Sequence, residues 1–208
     1  MRRSNHRKGK GKRTISIIVD GETEIWYFQM MKKHESMNHV NIKPELPKKK
    51  RLAEQFRLVV DNARDYDKVI WVVDFDTIIK EERERQKGGL SKIREFREYI
   101  DKSYRYTNIE ILVNTPCLEF WYLLHFKETS KYFDSCDKIN KEFKNTVLKD
   151  YQKTESYYKK RNADIYVKLN PNRKKAVGNS EKLGDFNINT PASAKAEIYK
   201  IFRMLELD

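Results

Sequence analysis

Two aspartates one residue apart, Asp74 and Asp76, close an apolar run, Val69-Ile70-Trp71-Val72-Val73. Residues this rich in β-branched and aromatic side chains predict a strand over 68–75 buried on both faces, as in a parallel sheet. Side chains alternate along a strand, so this spacing puts both carboxylates on one side where the strand runs out. Carboxylates that close repel each other unless a proton or a cation neutralises them, and an all-oxygen pair suits Mg²⁺. The competing reading is that the pair only caps the helix that follows.

Other acids recur at equivalent points. A first apolar run, residues 15–19, ends at Asp20-Gly21 and leads through Glu22, Thr23 and Glu24 into Ile25, Trp26, Tyr27 and Phe28. That reads as strand, turn and helix, with Glu22 and Glu24 in the first turn, where the helix dipole favours them whatever else they do. Residues 40–43 predict a short strand stopped at Pro44. Leu52, Phe56, Val59, Val60 and Ala63 recur at helical spacing within 48–64. Residues 80–87 are charged and read as a solvated helix or loop. After Gly88-Gly89 a helix carries Leu90, Ile93, Phe96, Tyr99 and Ile100. Residues 109–113 form another strand, ending at Asn114-Thr115-Pro116, and Pro116 opens a helix to 126. That helix is apolar nearly all round except for Glu119 and His125, and His125 reads as structural.

Alternating strands and helices predict a parallel α/β sheet with right-handed crossovers. Ligands in such sheets bind beyond the carboxyl ends of the strands. Asp20, the Asp74/Asp76 pair and Asn114 all stand at such ends, so one acidic crevice is expected. Capping alone does not predict that convergence, which favours a metal site.

Composition narrows the partner. The 208 residues hold 44 Lys+Arg against 31 Asp+Glu, a net charge of +13, which favours a polyanion such as nucleic acid over a purely solubilising role. Aromatic residues make up 12%, too many for wholesale disorder. Cys117 and Cys136 form neither a disulfide framework nor a metal-ligand spacing, and the four histidines show no zinc pattern. No apolar run approaches the roughly 20 residues that span a bilayer. The basic N-terminus has no apolar stretch behind it, so it does not read as a signal peptide. A cytoplasmic, reducing setting fits, without membrane attachment.

The organisation expected is a flexible basic arm (1–13), an α/β core (14–126), a basic, mostly helical insertion (127–190) and a C-terminal helix (191–208) packing on the core. In the insertion, Tyr151, Tyr157, Tyr158 and Tyr166 mingle with Lys153, Lys159, Lys160, Arg161, Lys168 and Arg173. Such a mixture can track phosphates and stack bases; equally, it is a basic helical lid whose tyrosines are core. Trp26, Tyr27 and Phe28 read as core, which leaves a homo-oligomer open.

The motifs Asp20-Gly21-Glu22-Thr23-Glu24, Asp74-Phe75-Asp76 and Asn114-Thr115-Pro116-Cys117-Leu118-Glu119-Phe120-Trp121-Tyr122-Leu123-Leu124-His125-Phe126 resemble, in order and spacing, those of the RloB family within the Toprim fold. The third is the most specific, and together they span 15–126. Two departures stand out: Asp20 replaces the usual first glutamate, and the Asn before Pro is displaced by one residue. The resemblance implies a Toprim-like core and a Mg²⁺- or Mn²⁺-dependent nuclease of bacterial phage defence. RNA such as tRNA is the more expected substrate, and an ABC-type ATPase the expected partner. It implies that Asp20, Glu24, Asp74 and Asp76 bind metal and that Glu119 joins them in the catalytic set. The alternative is a non-catalytic nucleic-acid-binding or ATPase-regulating module with a degenerate site.

Overall fold

The computed structural model describes residues 12–37, 40–47, 51–86 and 88–207. Most of the basic arm, Lys48–Lys50 and Lys87 lie outside them. The first half reads β1 (Arg13–Ile18), α1 (Glu22–His34), β2 (Val40–Glu45), α2 (Leu52–Asn62), β3 (Lys68–Asp74), α3 (Phe75–Arg83), α4 (Lys92–Ser103), β4 (Ile109–Thr115) and α5 (Leu118–Leu124). The second half reads α6 (Cys136–Glu142), α7 (Glu155–Tyr158), α8 (Ile165–Leu169), α9 (Arg173–Glu181), β5 (Lys195–Ala196) and α10 (Tyr199–Met204), with short 3₁₀ turns between. It is an α/β protein.

The sheet order is β2-β1-β3-β4-β5. The first three pairings are parallel, as the strand–helix alternation requires, and β5 joins β4 antiparallel. Alternation along β3 divides its side chains between two faces. Ile70 and Val72 face a core built with α1 and α5, whereas Val69, Trp71 and Val73 face a second core under α2, α3 and α4. Both faces are covered, which is why β3 is apolar throughout.

Several boundaries differ from expectation. Arg13 belongs to β1 and not to the arm. β2 runs through Pro44, which pairs in register with Ile17; as an edge strand it tolerates a residue without an N–H. The C-terminal segment is not one helix from residue 191, because Lys195 and Ala196 first add a two-residue strand to β4 and the helix is confined to Tyr199–Met204. Residues 127–190 contribute to the core of the sheet. Ile139, Phe143, Tyr158, Ile165, Tyr166 and Val177 are buried in the same core as β1 and α1. Tyr158 and Tyr166 are therefore core residues, while Tyr151 and Tyr157 are half-buried. The two cysteines, which do not read as a disulfide framework in the sequence, are joined as a Cys117–Cys136 disulfide. It ties the start of α5 to the start of α6.

Candidate metal centre

Three elements bring acids together at one side of the sheet. Asp20 follows β1 by two residues, Asp74 is the last residue of β3, and Glu24 lies in the first turn of α1. One oxygen from each of these three lies within 4.8 Å of the others. Glu24 and Asp74 are buried and Asp20 is half-buried. Gly21 makes room for this arrangement: a Cβ there would stand 2.2 Å from Glu24 Oε2. Thr23 donates to the same oxygen at 3.0 Å.

Asp74 also joins the elements around it. Its Oδ1 accepts from Asn114 Nδ2 on β4 at 3.0 Å, and its Oδ2 accepts from the backbone N–H of Leu118, the first residue of α5, at 3.0 Å. The latter satisfies one of the N–H groups that the start of a helix leaves open and puts a negative charge at its positive end. The middles of α1 and α5 are tied by Trp121, whose indole N–H donates to the Tyr27 hydroxyl at 2.9 Å.

Asp76 departs from the strand-based expectation. β3 ends at Asp74 and α3 begins at Phe75, so the two carboxylates are not alternate positions of one strand. The Asp76 backbone N–H donates to Pro116 O at 3.1 Å. Its Oδ2 lies 3.2 Å from Cys136 Sγ, and its carboxylate groups with the two cysteine sulfurs, outside the Asp20–Glu24–Asp74 triad. A cleft of about 550 Å³ opens beside it, lined among others by Lys80, Arg83, Thr115 and Tyr132. Glu119, 1% exposed, comes from the first turn of α5. Its Oε1 accepts from the Tyr151 hydroxyl and from the Lys153 ammonium, each at 2.7 Å.

The electrostatics follow from packing acids out of water. Burial, then the charge of Glu24 and to a lesser degree of Asp76, lifts the Asp20 carboxyl well above the usual range. Burial followed by the charges of Glu24, Asp20, Asp76 and Glu119 does the same to Asp74. Glu24 is pushed to about 7 by burial and then by Glu119. Asp76 is raised mainly by burial, with Lys153 opposing. Without a cation this cluster holds protons that isolated carboxylates would have lost. Its donors are hard carboxylate oxygens, the type that hard divalent cations take. Asn114 Oδ1, buried beside Asp74 and without a hydrogen-bond partner, fits the same requirement. Glu22 is exposed. His125 is buried, with Nδ1 2.9 Å from Trp121 O and a pKa lowered to about 3 by burial, so it is a neutral packing residue.

The sequence places Asn114 at one of the converging strand ends but does not show Tyr151 and Lys153 as contacts of Glu119. Nothing in their local sequence signals that role, because the segment between α6 and α7 has no periodicity.

A buried acid cluster at the carboxyl ends of parallel strands defines an α/β protein with a candidate divalent-cation centre. The chain belongs to the RloB-like protein family, whose model matches residues 15–205. No curated protein and no solved structure gives a significant match. Among the described residues, no helix is long and apolar enough to cross a membrane.

Proposed function

We propose that this chain is a Mg²⁺- or Mn²⁺-dependent endonuclease with a Toprim-like core, cutting RNA such as tRNA in preference to DNA. In this reading it is the effector of a bacterial anti-phage system, working with an ABC-type ATPase. The observation that carries it is the meeting of Asp20, Glu24 and Asp74 oxygens within 4.8 Å in a buried cluster. A net charge of +13 supports a polyanionic substrate, and family membership supports the motif assignment.

Asp20, Glu24 and Asp74 would hold the ion, with Asn114 completing the oxygen set. When bound, a divalent ion polarises a phosphodiester and supplies a hydroxide nucleophile near neutral pH. The chain's own residues do the rest. Asp74 fixes its carboxylate through Asn114 and the α5 N-terminus. Gly21 lets Glu24 fold back over the turn. Asp76 borders the cleft with Lys80 and Arg83, where the flanking phosphates would lie. Glu119, fixed by Tyr151, is positioned to orient water or take a proton.

The test is incubation of the protein with bacterial tRNA in Mg²⁺ or Mn²⁺, beside Asp20→Asn and Asp76→Ala variants. Metal-dependent fragments produced by the wild type and lost in both variants are expected. Intact RNA in the presence of the ATPase partner, together with undiminished RNA binding, would favour the non-catalytic module, for which Asp20 in place of the usual glutamate argues.

A further inference from the structure

The Lys153 ammonium is 2.7 Å from Glu119 Oε1. Among the described residues, no other cation is ion-paired to Asp20, Glu24, Asp74, Asp76 or Glu119. The two partners differ in exposure: the Glu119 side chain is 2% accessible and that of Lys153 is 46%. The ammonium thus stands between a buried carboxylate and solvent, at the edge of the cluster.

The backbone that carries it is anchored nearby. Tyr151 donates to Glu119 and lies 2.5 Å, hydroxyl to hydroxyl, from the fully buried Tyr158. Thr154 caps α7 by accepting from the Tyr157 N–H. Lys153 is therefore a flexible stem on a fixed base, able to re-aim its charge without a backbone movement. A phosphodiester approaching five carboxylates is favoured by a cation in contact with them, which Lys80 and Arg83 in the neighbouring cleft are not, and a lysine serves phosphate as a point charge.

We propose that Lys153 is the phosphate-contacting cation of the site: its ammonium turns from Glu119 to a non-bridging oxygen of the phosphodiester held against the Asp20–Glu24–Asp74 centre. The inference rests on the nuclease reading for its substrate, but its test does not depend on cleavage. Three proteins, wild type, Lys153→Met and Lys153→Arg, are titrated with Mn²⁺ alone, followed by electron paramagnetic resonance. They are then titrated with fluorescein-labelled tRNA in Ca²⁺ at several salt concentrations.

Lys153→Met should bind Mn²⁺ at least as tightly as wild type, because a competing positive charge has gone. Its RNA affinity should fall roughly ten- to hundredfold, the worth of a charge-assisted hydrogen bond, and its salt slope by about one. Lys153→Arg should bind RNA nearly as wild type does. The double variant Lys153→Met/Glu119→Gln leaves no carboxylate stripped of its lysine partner and should keep both the fold and the weak RNA binding. An RNA affinity and salt slope unchanged in the folded methionine variants would overturn the proposal and make Lys153 an internal partner of Glu119 only. If wild type fails to cut RNA but the methionine variants still lose binding, the nuclease reading falls and the phosphate contact stands.

Discussion

Replacing Glu24 with glutamine should stabilise the metal-free protein and destabilise the metal-loaded one. The carboxyl titrates near 4.5 in an unfolded chain and at about 7 in the fold. The folded protein therefore keeps a proton that the unfolded chain releases, and stability falls as pH rises between those values. The rise is about 2.5 pH units, and at about 1.36 kcal/mol per unit it places a cost of about 3 kcal/mol on the wild type above pH 7. Glutamine removes that cost and retains the shape, with its amide oxygen still able to accept from Thr23. Thermal unfolding in chelator should show Glu24→Gln more stable than wild type at pH 8, with the gap closing toward pH 4.5. Saturating Mn²⁺ should reverse the order, since wild type gains binding free energy that the variant has lost. A constant offset at all pH values, or an equal Mn²⁺ response in both proteins, would refute the account of a proton-holding metal ligand.

Other consequences can be measured directly. Gly21→Ala should weaken Mn²⁺ binding more than tenfold with little change of unfolding temperature in chelator, because the new methyl group displaces the Glu24 carboxylate from 2.2 Å away; unchanged Mn²⁺ affinity in calorimetry would contradict it. Asp74→Ala leaves the Leu118 N–H and the Asn114 amide without their acceptor, costing about 1–3 kcal/mol for each buried group in denaturant unfolding. Reducing the Cys117–Cys136 bond, which closes a loop of sequence separation 19, should lower stability by about 3 kcal/mol; a Cys117→Ser/Cys136→Ser variant should lose the response of its unfolding temperature to reductant. Mn²⁺ affinity of the wild type should tighten as pH rises toward and through about 7, with proton release detectable in buffers of different ionisation enthalpy.

The sheet and its acids were legible because short-range patterns encode them. The dense apolar run before Asp74 required a strand covered on both faces, and the turn after residue 19 required a glycine beside acids. Asp76 misled because the two-residue period presumes that a strand continues, whereas the chain turns into α3 immediately after Asp74. The antiparallel β5 is two residues long and has no periodicity to detect. The Cys117–Cys136 bond and the Lys153–Glu119 pair join segments whose proximity arises only from the packing of α5 against the helices that follow. No local sequence signal contains that information. The tyrosines of 151–166 have a composition that suits stacking on bases as well as a core, and only burial separates the two roles.

The return of the chain to β4 couples the site to the order in which the protein assembles. Glu197 accepts from the Val113 N–H across 84 residues and, through its other oxygen, from Phe186 N–H. Asn114, the partner of Asp74, is paired with Ala196 on the same rung. A nascent chain that has completed β1 to α5 therefore has every acid of the centre but leaves one side of the strand next to them unpaired. Contacts so distant in sequence form late, and only residues 195–197 supply the missing rung. A cell would thus hold the acidic centre in its final frame only after synthesis had passed Glu197.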